Sequence, residues 1–132
     1  SFPGGKLEQG ETALQAAIRE TQEEVGIILH ESQLVKDLGI GTAGIHQNTP
    51  TTVQSFVFRI KSSPVTKLDY TEARQTSWIT DSQFLEQSNH TLVRPFPHQE
   101  EKVFPCYPMI EGVLWGFSYG LLLRHWESKK TP

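Results

Sequence analysis

Cysteine is nearly absent from this sequence: Cys106 stands alone. No intrachain disulfide can form, and the count gives no argument for secretion. Long apolar runs are absent as well. Leu121, Leu122 and Leu123 are the densest apolar patch, and charged Arg124 follows at once, whereas a bilayer span needs about 20 apolar residues. Neither sign of charge dominates. A formal net charge of -3 gives no reason to expect a nucleic-acid backbone or an anionic membrane as partner. Paired histidines at metal-ligand spacing are missing too. His30, His46, His90, His98 and His125 lack a pattern such as H-E-x-x-H, so they read as surface or loop residues, with His46 placed where it could touch a substrate. Cys106 lies between Pro105 and Tyr107 with no base nearby in sequence, which speaks against a nucleophile.

The chain opens Ser1-Phe2-Pro3-Gly4-Gly5 without an initiator Met or a signal-peptide pattern. Native sequence upstream is therefore expected. For the compartment, an intracellular setting (cytoplasm, mitochondrion or peroxisome) is the expectation, without a residue that selects one. With 132 residues, 36 % hydrophobic and 20 % charged, the composition fits one globular domain over residues 1–132.

Glycine and proline punctuate the first ten residues as a turn. Thr12 then makes an N-cap, and Gln15 three residues later completes a capping-box spacing. Leu14, Ala17, Ile18, Thr21 and Val25 recur at helical spacing, and Gly26 is a natural stop. The spacing predicts a helix over 12–25. Ile27–Leu29 and 34–41 read as strands, and Gly41–Pro50 as a loop. Thr51–Ile60, rich in β-branched and aromatic residues, is the clearest strand. Ser62–Pro64 reads as a turn, 74–79 as a strand, and a short helix follows Thr80 or Asp81 to about Gln87. Four prolines make 88–108 a long irregular connection with one strand near His90–Arg94. Met109–Trp115 is a last strand or turn. Gly116–Glu127 is a helix burying Phe117, Leu121 and Trp126, with Ser128–Pro132 fraying.

The first helix has a second face. Glu20, Glu23 and Glu24 stand at i, i+3 and i+4, neighbours on a helix surface. A solvated acidic face is the plain explanation. Two features point elsewhere. The cluster sits in the helix's C-terminal half, where the macrodipole disfavours negative charge. A glycine-rich loop also precedes the helix and lets backbone approach an anion closely. A hard divalent cation resolves the repulsion, because it takes carboxylate oxygens, waters and phosphates together.

These residues resemble the Nudix box: Gly5, Glu11, Arg19-Glu20, Glu23-Glu24 and Gly26 stand at its spacing, with Val25 and Ile27 beside them. One position departs, since Thr21 replaces the usual apolar residue. The resemblance implies an α/β fold of Nudix type, an α/β/α sandwich around a mixed sheet. It also implies hydrolysis of a nucleoside diphosphate linked to another moiety. By the same resemblance, Glu20, Glu23 and Glu24 bind Mg2+ or Mn2+, the Gly5 carbonyl adds a ligand, and Arg19 pairs with Glu11 to hold loop and helix together. One of these glutamates, or Glu72 from a later loop, takes the proton of the attacking water. Glu72 reads equally as a surface carboxylate. Gly4, Gly5 and Lys6 would meet the substrate, Lys6 as a point charge on phosphate or else as a solvated lysine.

Phe2-Pro3-Gly4-Gly5 and Leu114–Gly120 resemble segments of the coenzyme A diphosphatase subfamily. Coenzyme A or its thioesters is the leading substrate, with ADP-ribose or another nucleotide conjugate as alternative. A Nudix-like binding module without hydrolysis is the third reading. Strands that normally precede the box are missing from this chain. The expectation is a fragment of a longer protein, or a partner segment or homodimer mate that completes the sheet.

Overall fold

The computed structural model describes residues 1–61, 64, 66–67, 75–110 and 112–130, with side chains except those of 46 and 127–130. The elements run α1 (Ala13–Val25), β1 (Leu34–Ala43), β2 (Thr51–Phe58), α2 (Asp81–Leu85), β3 (Thr91–Val93), β4 (Phe104–Pro108), β5 (Val113–Trp115) and α3 (Gly116–Lys130). Helices and strands mix, as the α/β class requires. The chain divides into two compact units: residues 2–41 with 52–78, and residue 1 with 42–51 and 79–132. None of the described helices is long and apolar enough to cross a membrane.

In the first unit, α1 forms where its sequence signals place it. The Thr12 hydroxyl accepts from the Gln15 N–H while the Gln15 side chain accepts from the Thr12 N–H. Two of the first turn's orphan donors are thereby satisfied. Gly26 ends the helix in the left-handed region, at φ 74°. A side chain there would also meet Lys67, whose N–H donates to the Val25 carbonyl at 2.7 Å. Gly26 thus serves both the turn and the close approach of a second backbone. Ala16 and Val25 are the buried residues of α1, and Leu14, Ala17 and Ile18 are half-buried. Thr21 turns its hydroxyl to the Ala17 carbonyl at 2.7 Å. This local bond lets a polar residue stand where an apolar one is usual. β1 and β2 pair as a two-stranded sheet, tied by the Gln54 amide donating to Asp37.

Two expected strands are corrected here. Ile27–Leu29 and the described part of 74–79 form no strand. A short apolar run becomes a strand only where a partner ladder meets it; just after α1, the Lys67 N–H goes to the Val25 carbonyl instead. Most of the expected turn at Ser62–Pro64 lies outside the described residues.

In the second unit, β3, β4 and β5 form an antiparallel sheet in that order, with Thr91 opposite Cys106 and Cys106 opposite Trp115. β4 corrects the irregular connection expected from the prolines. Pro105 and Pro108 both lie in it, and both are exposed. Phe84, Tyr107, Leu114 and Tyr119 make the core, with Ile79, Met109, Leu122, Leu123 and Trp126 packed against it. Trp126 therefore packs inward as expected, but Phe117 and Leu121 are only half-buried, and Tyr119 is the residue of α3 that is buried. The helix continues to Lys130 rather than fraying at Ser128.

His90 is another correction. It is not a surface residue. Its ring stands edge-on to Phe84, Tyr107 and Tyr119. One ring nitrogen meets the Tyr119 hydroxyl at 2.8 Å and the other meets the Phe84 carbonyl. A carbonyl only accepts, so Nε2 carries a proton and donates to Phe84. Burial raises the Tyr119 phenol above its usual range, with the Cys106 thiol adding to the rise.

Candidate active site

The site is built on α1, from its middle to its last turn, and on the loop before it. Glu11 stands at the end of that loop and Arg19 two turns into the helix. The Arg19 guanidinium grips Glu11 with two nitrogens: Nε donates to Oε2 at 2.8 Å and Nη2 to Oε1 at 2.9 Å. Nη2 also donates to the Lys6 carbonyl at 3.0 Å. The Glu8 N–H donates to Glu11 at 2.9 Å, and the Glu11 N–H returns to the Glu8 carbonyl at 3.0 Å. Gly10, at φ 77°, makes the turn between them possible. One guanidinium therefore fixes the loop at Lys6 and Glu11 against the helix.

The other end of Arg19 faces the acidic cluster. Nη1 donates to Glu20 Oε1 at 3.0 Å and to Glu23 Oε2 at 3.1 Å. Its five N–H donors thus all have acceptors. Glu8 adds a looser ion pair to the same Nη1 at 3.6 Å. The electrostatics follow from this geometry. The Arg19 hydrogen bonds, helped by the Glu8 N–H, hold the Glu11 carboxyl down to about 2. Glu11, and Glu20 after it, raise Arg19 further above its already high value.

Gly5 packs directly on the Glu20 carboxylate, and a Cβ at Gly5 would overlap it. A larger residue at Gly5 would push the Glu20 carboxylate out of its present place. No such demand exists at Gly4, where a Cβ would meet open space. Glu20 is closed in, with its side chain 13 % exposed, while Glu23 is 49 % exposed.

These facts test the expected ligand set. Glu20 and Glu23 each bring an oxygen to one positively charged nitrogen, beside a glycine backbone. Oxygen donors converging on one cationic point suit a hard divalent ion. The expected trio is not gathered, however. Among the described residues no three His, Cys, Asp or Glu side chains stand together as a metal-holding group. Glu20 and Glu23 both turn to the guanidinium. Glu24 follows on the same helix and is half-buried. Glu72 lies outside the described residues, as does the His46 side chain. Lys6 enters the network through its carbonyl, and its residue is exposed. Glu8 is the member of this network that sequence reasoning missed. Its signal was its place three residues before Glu11 in the loop, the spacing of a local turn.

The Nudix domain family profile matches residues 1–101. A peroxisomal coenzyme A diphosphatase (ndx-8) of Caenorhabditis elegans is 32 % identical over 116 residues, covering 85 % of this chain and 48 % of the relative. A MutT-like protein of Streptomyces ambofaciens is 32 % identical over 86 residues, covering 65 % of this chain and 51 % of that protein. The 8-oxo-dGTP diphosphatase of Escherichia coli K12 is 57 % identical over 37 residues, covering 28 % of this chain and 29 % of the enzyme. The chain thus spans about half the length, or less, of these relatives. The search of solved structures gave no match. The profile match across most of the chain, with the glycine loop, Arg19 and helix carboxylates in place, makes this protein a member of the Nudix domain family.

Proposed function

We propose that the protein is a Nudix hydrolase that cleaves a diphosphate linkage between a nucleoside and another moiety, using Mg2+ or Mn2+. The observation that carries this is the convergence of Glu20 and Glu23 on one cationic nitrogen beside Gly5. Glu20, Glu23, Glu24 and the Gly5 carbonyl would hold the ion. When bound, such an ion neutralises phosphate charge and activates water as the nucleophile. The chain's own residues do the rest. Arg19 and Glu11 hold the loop at a fixed distance from the helix. Glu20 is walled in and anchors. Glu23 is open to solvent and stands where water and substrate arrive. Lys6 offers a cation to a phosphate oxygen. Glu72 is a second candidate for the proton acceptor.

Coenzyme A or its thioesters are the leading substrates. The relative named for coenzyme A aligns with most of this chain. The short match to the 8-oxo-dGTP enzyme spans 37 residues, a length that speaks to shared box chemistry rather than to substrate. ADP-ribose and other nucleotide conjugates remain the alternative substrates, and a non-hydrolysing binding module the alternative function. The test is a product-resolved panel with Mg2+ and Mn2+: coenzyme A, an acyl thioester, ADP-ribose, NADH, a diadenosine polyphosphate and 8-oxo-dGTP. Release of 3',5'-ADP and phosphopantetheine, abolished by Glu24→Gln, is the expected outcome. Turnover that survives Glu24→Gln unchanged would show that the site is elsewhere. Binding without cleavage of any substrate would favour the binding module.

A further inference from the structure

Every donor of Arg19 is used, and two of its bonds go to carboxylates that a cation must take. If Glu20 and Glu23 turn to a divalent ion, Nη1 loses both acceptors at once. A guanidinium nitrogen left without partners beside a second cation is unfavourable on both counts. The remaining bonds of Arg19, to Glu11 and the Lys6 carbonyl, fix the guanidinium in place, so it cannot swing away freely. One further acceptor is within reach. The Glu8 carboxylate lies 3.6 Å from Nη1, beyond hydrogen-bond distance but inside ion-pair range. Its side chain is 69 % exposed and is free to close that gap. Its backbone is already tied to Glu11 in both directions.

We propose that Glu8 is a positioning residue: it accepts the Arg19 Nη1 when the cation takes Glu20 and Glu23. Arg19 Nη1 holds those two carboxylates side by side, where a cation would take them. Glu8 keeps the guanidinium from competing afterwards. The proposal rests on the metal-dependent reading above.

The test uses the whole chain with the metal alone. Bound Mn2+ is measured by electron paramagnetic resonance, and the Arg19 guanidinium is followed by 15N-arginine NMR with Mg2+. In the wild type, Mg2+ should shift the Nη1 signal and leave Nε, on Glu11, where it was. The Nη1 protons should stay slow to exchange with water. Glu8→Gln should weaken Mn2+ binding about two- to fivefold, the scale of an exposed ion pair. It should also make the Nη1 protons exchange fast once Mg2+ is bound. Glu31→Gln, an exposed carboxylate change outside this network, should do neither. Wild-type Mn2+ affinity and slow Nη1 exchange in Glu8→Gln would overturn this inference alone. No saturable Mn2+ binding to the wild type would overturn the metal-dependent reading itself, and this inference with it.

Discussion

Arg19 holds Glu11 by two parallel hydrogen bonds, 2.8 and 2.9 Å long, across eight residues of chain. A fork meeting a carboxylate in this way fixes angle as well as distance. Lysine, a single point charge, does not reproduce it. Arg19→Lys should therefore keep the charge and lose the geometry. Its kcat should fall about a hundredfold, the scale of a small misplacement of catalytic groups. Steady-state kinetics on the best substrate would check this. A variant with wild-type kcat would remove Arg19 from the positioning role.

Acid should undo the same pair in a defined window. Glu11 ionises at about 2 in the folded protein against an ordinary value of 4.5. A depressed carboxylate contributes stability that is complete above its unfolded value and disappears as pH falls through its folded value. The difference in melting temperature between wild type and Glu11→Gln should thus be constant above about pH 5, and shrink between about 4.5 and about 2. A difference that persists unchanged at pH 2 would contradict the assignment.

Two glycines should respond differently to alanine. At Gly5, a methyl would displace the Glu20 carboxylate; activity and Mn2+ binding should drop while the fold survives. At Gly26, the left-handed backbone alone costs about 1–2 kcal/mol for alanine, and the close Lys67 backbone adds to it. Urea denaturation of Gly26→Ala should show a loss of at least that size. Equal stability of Gly26→Ala and wild type would contradict both the left-handed conformation of Gly26 and the close approach of Lys67.

The His90–Tyr119 contact gives a prediction for the second unit. Tyr119→Phe leaves the facing ring nitrogen of His90 without its 2.8 Å partner. Stability should fall by about 0.5–1.5 kcal/mol, the net worth of one hydrogen bond at this half-buried ring, with kcat for the best substrate retained. Alkali should act at the same place. Because burial raises the Tyr119 phenol, its contribution is present below the ordinary tyrosine value of 10.0. It is lost as pH rises through the higher folded value. Tyrosinate absorbance during an alkaline titration would show one group ionising late, together with unfolding.

Much of the site was legible because its signals are local. A capping pair at Thr12 and Gln15, a left-handed stop at Gly26 and carboxylates three and four residues apart are set by helix geometry over a few residues, whatever the rest of the chain does. Arg19 meeting Glu11 followed from resemblance, and the two side chains do pair. The strand at Thr51–Phe58 was legible from its β-branched and aromatic content. Elements that need a partner were not. Ile27–Leu29 has strand composition but no ladder, whereas Phe104–Pro108 has two prolines and a strand on one side and another on the other.

What the sequence alone determined about this protein is therefore the helix, the loop before it and the identity of the groups on each. Their periodicity and turn chemistry act over one or two turns of chain. Tertiary structure decided the rest. It set Gly5 against Glu20, brought Lys67 to Gly26, buried Tyr119 rather than Phe117, and put His90 among three rings. It also turned Glu20 and Glu23 toward a guanidinium and left Glu8 within reach of it. Each of these depends on how charges and apolar faces meet in space, and the balance of repulsion, desolvation and packing that settles them is not written in any single stretch of residues.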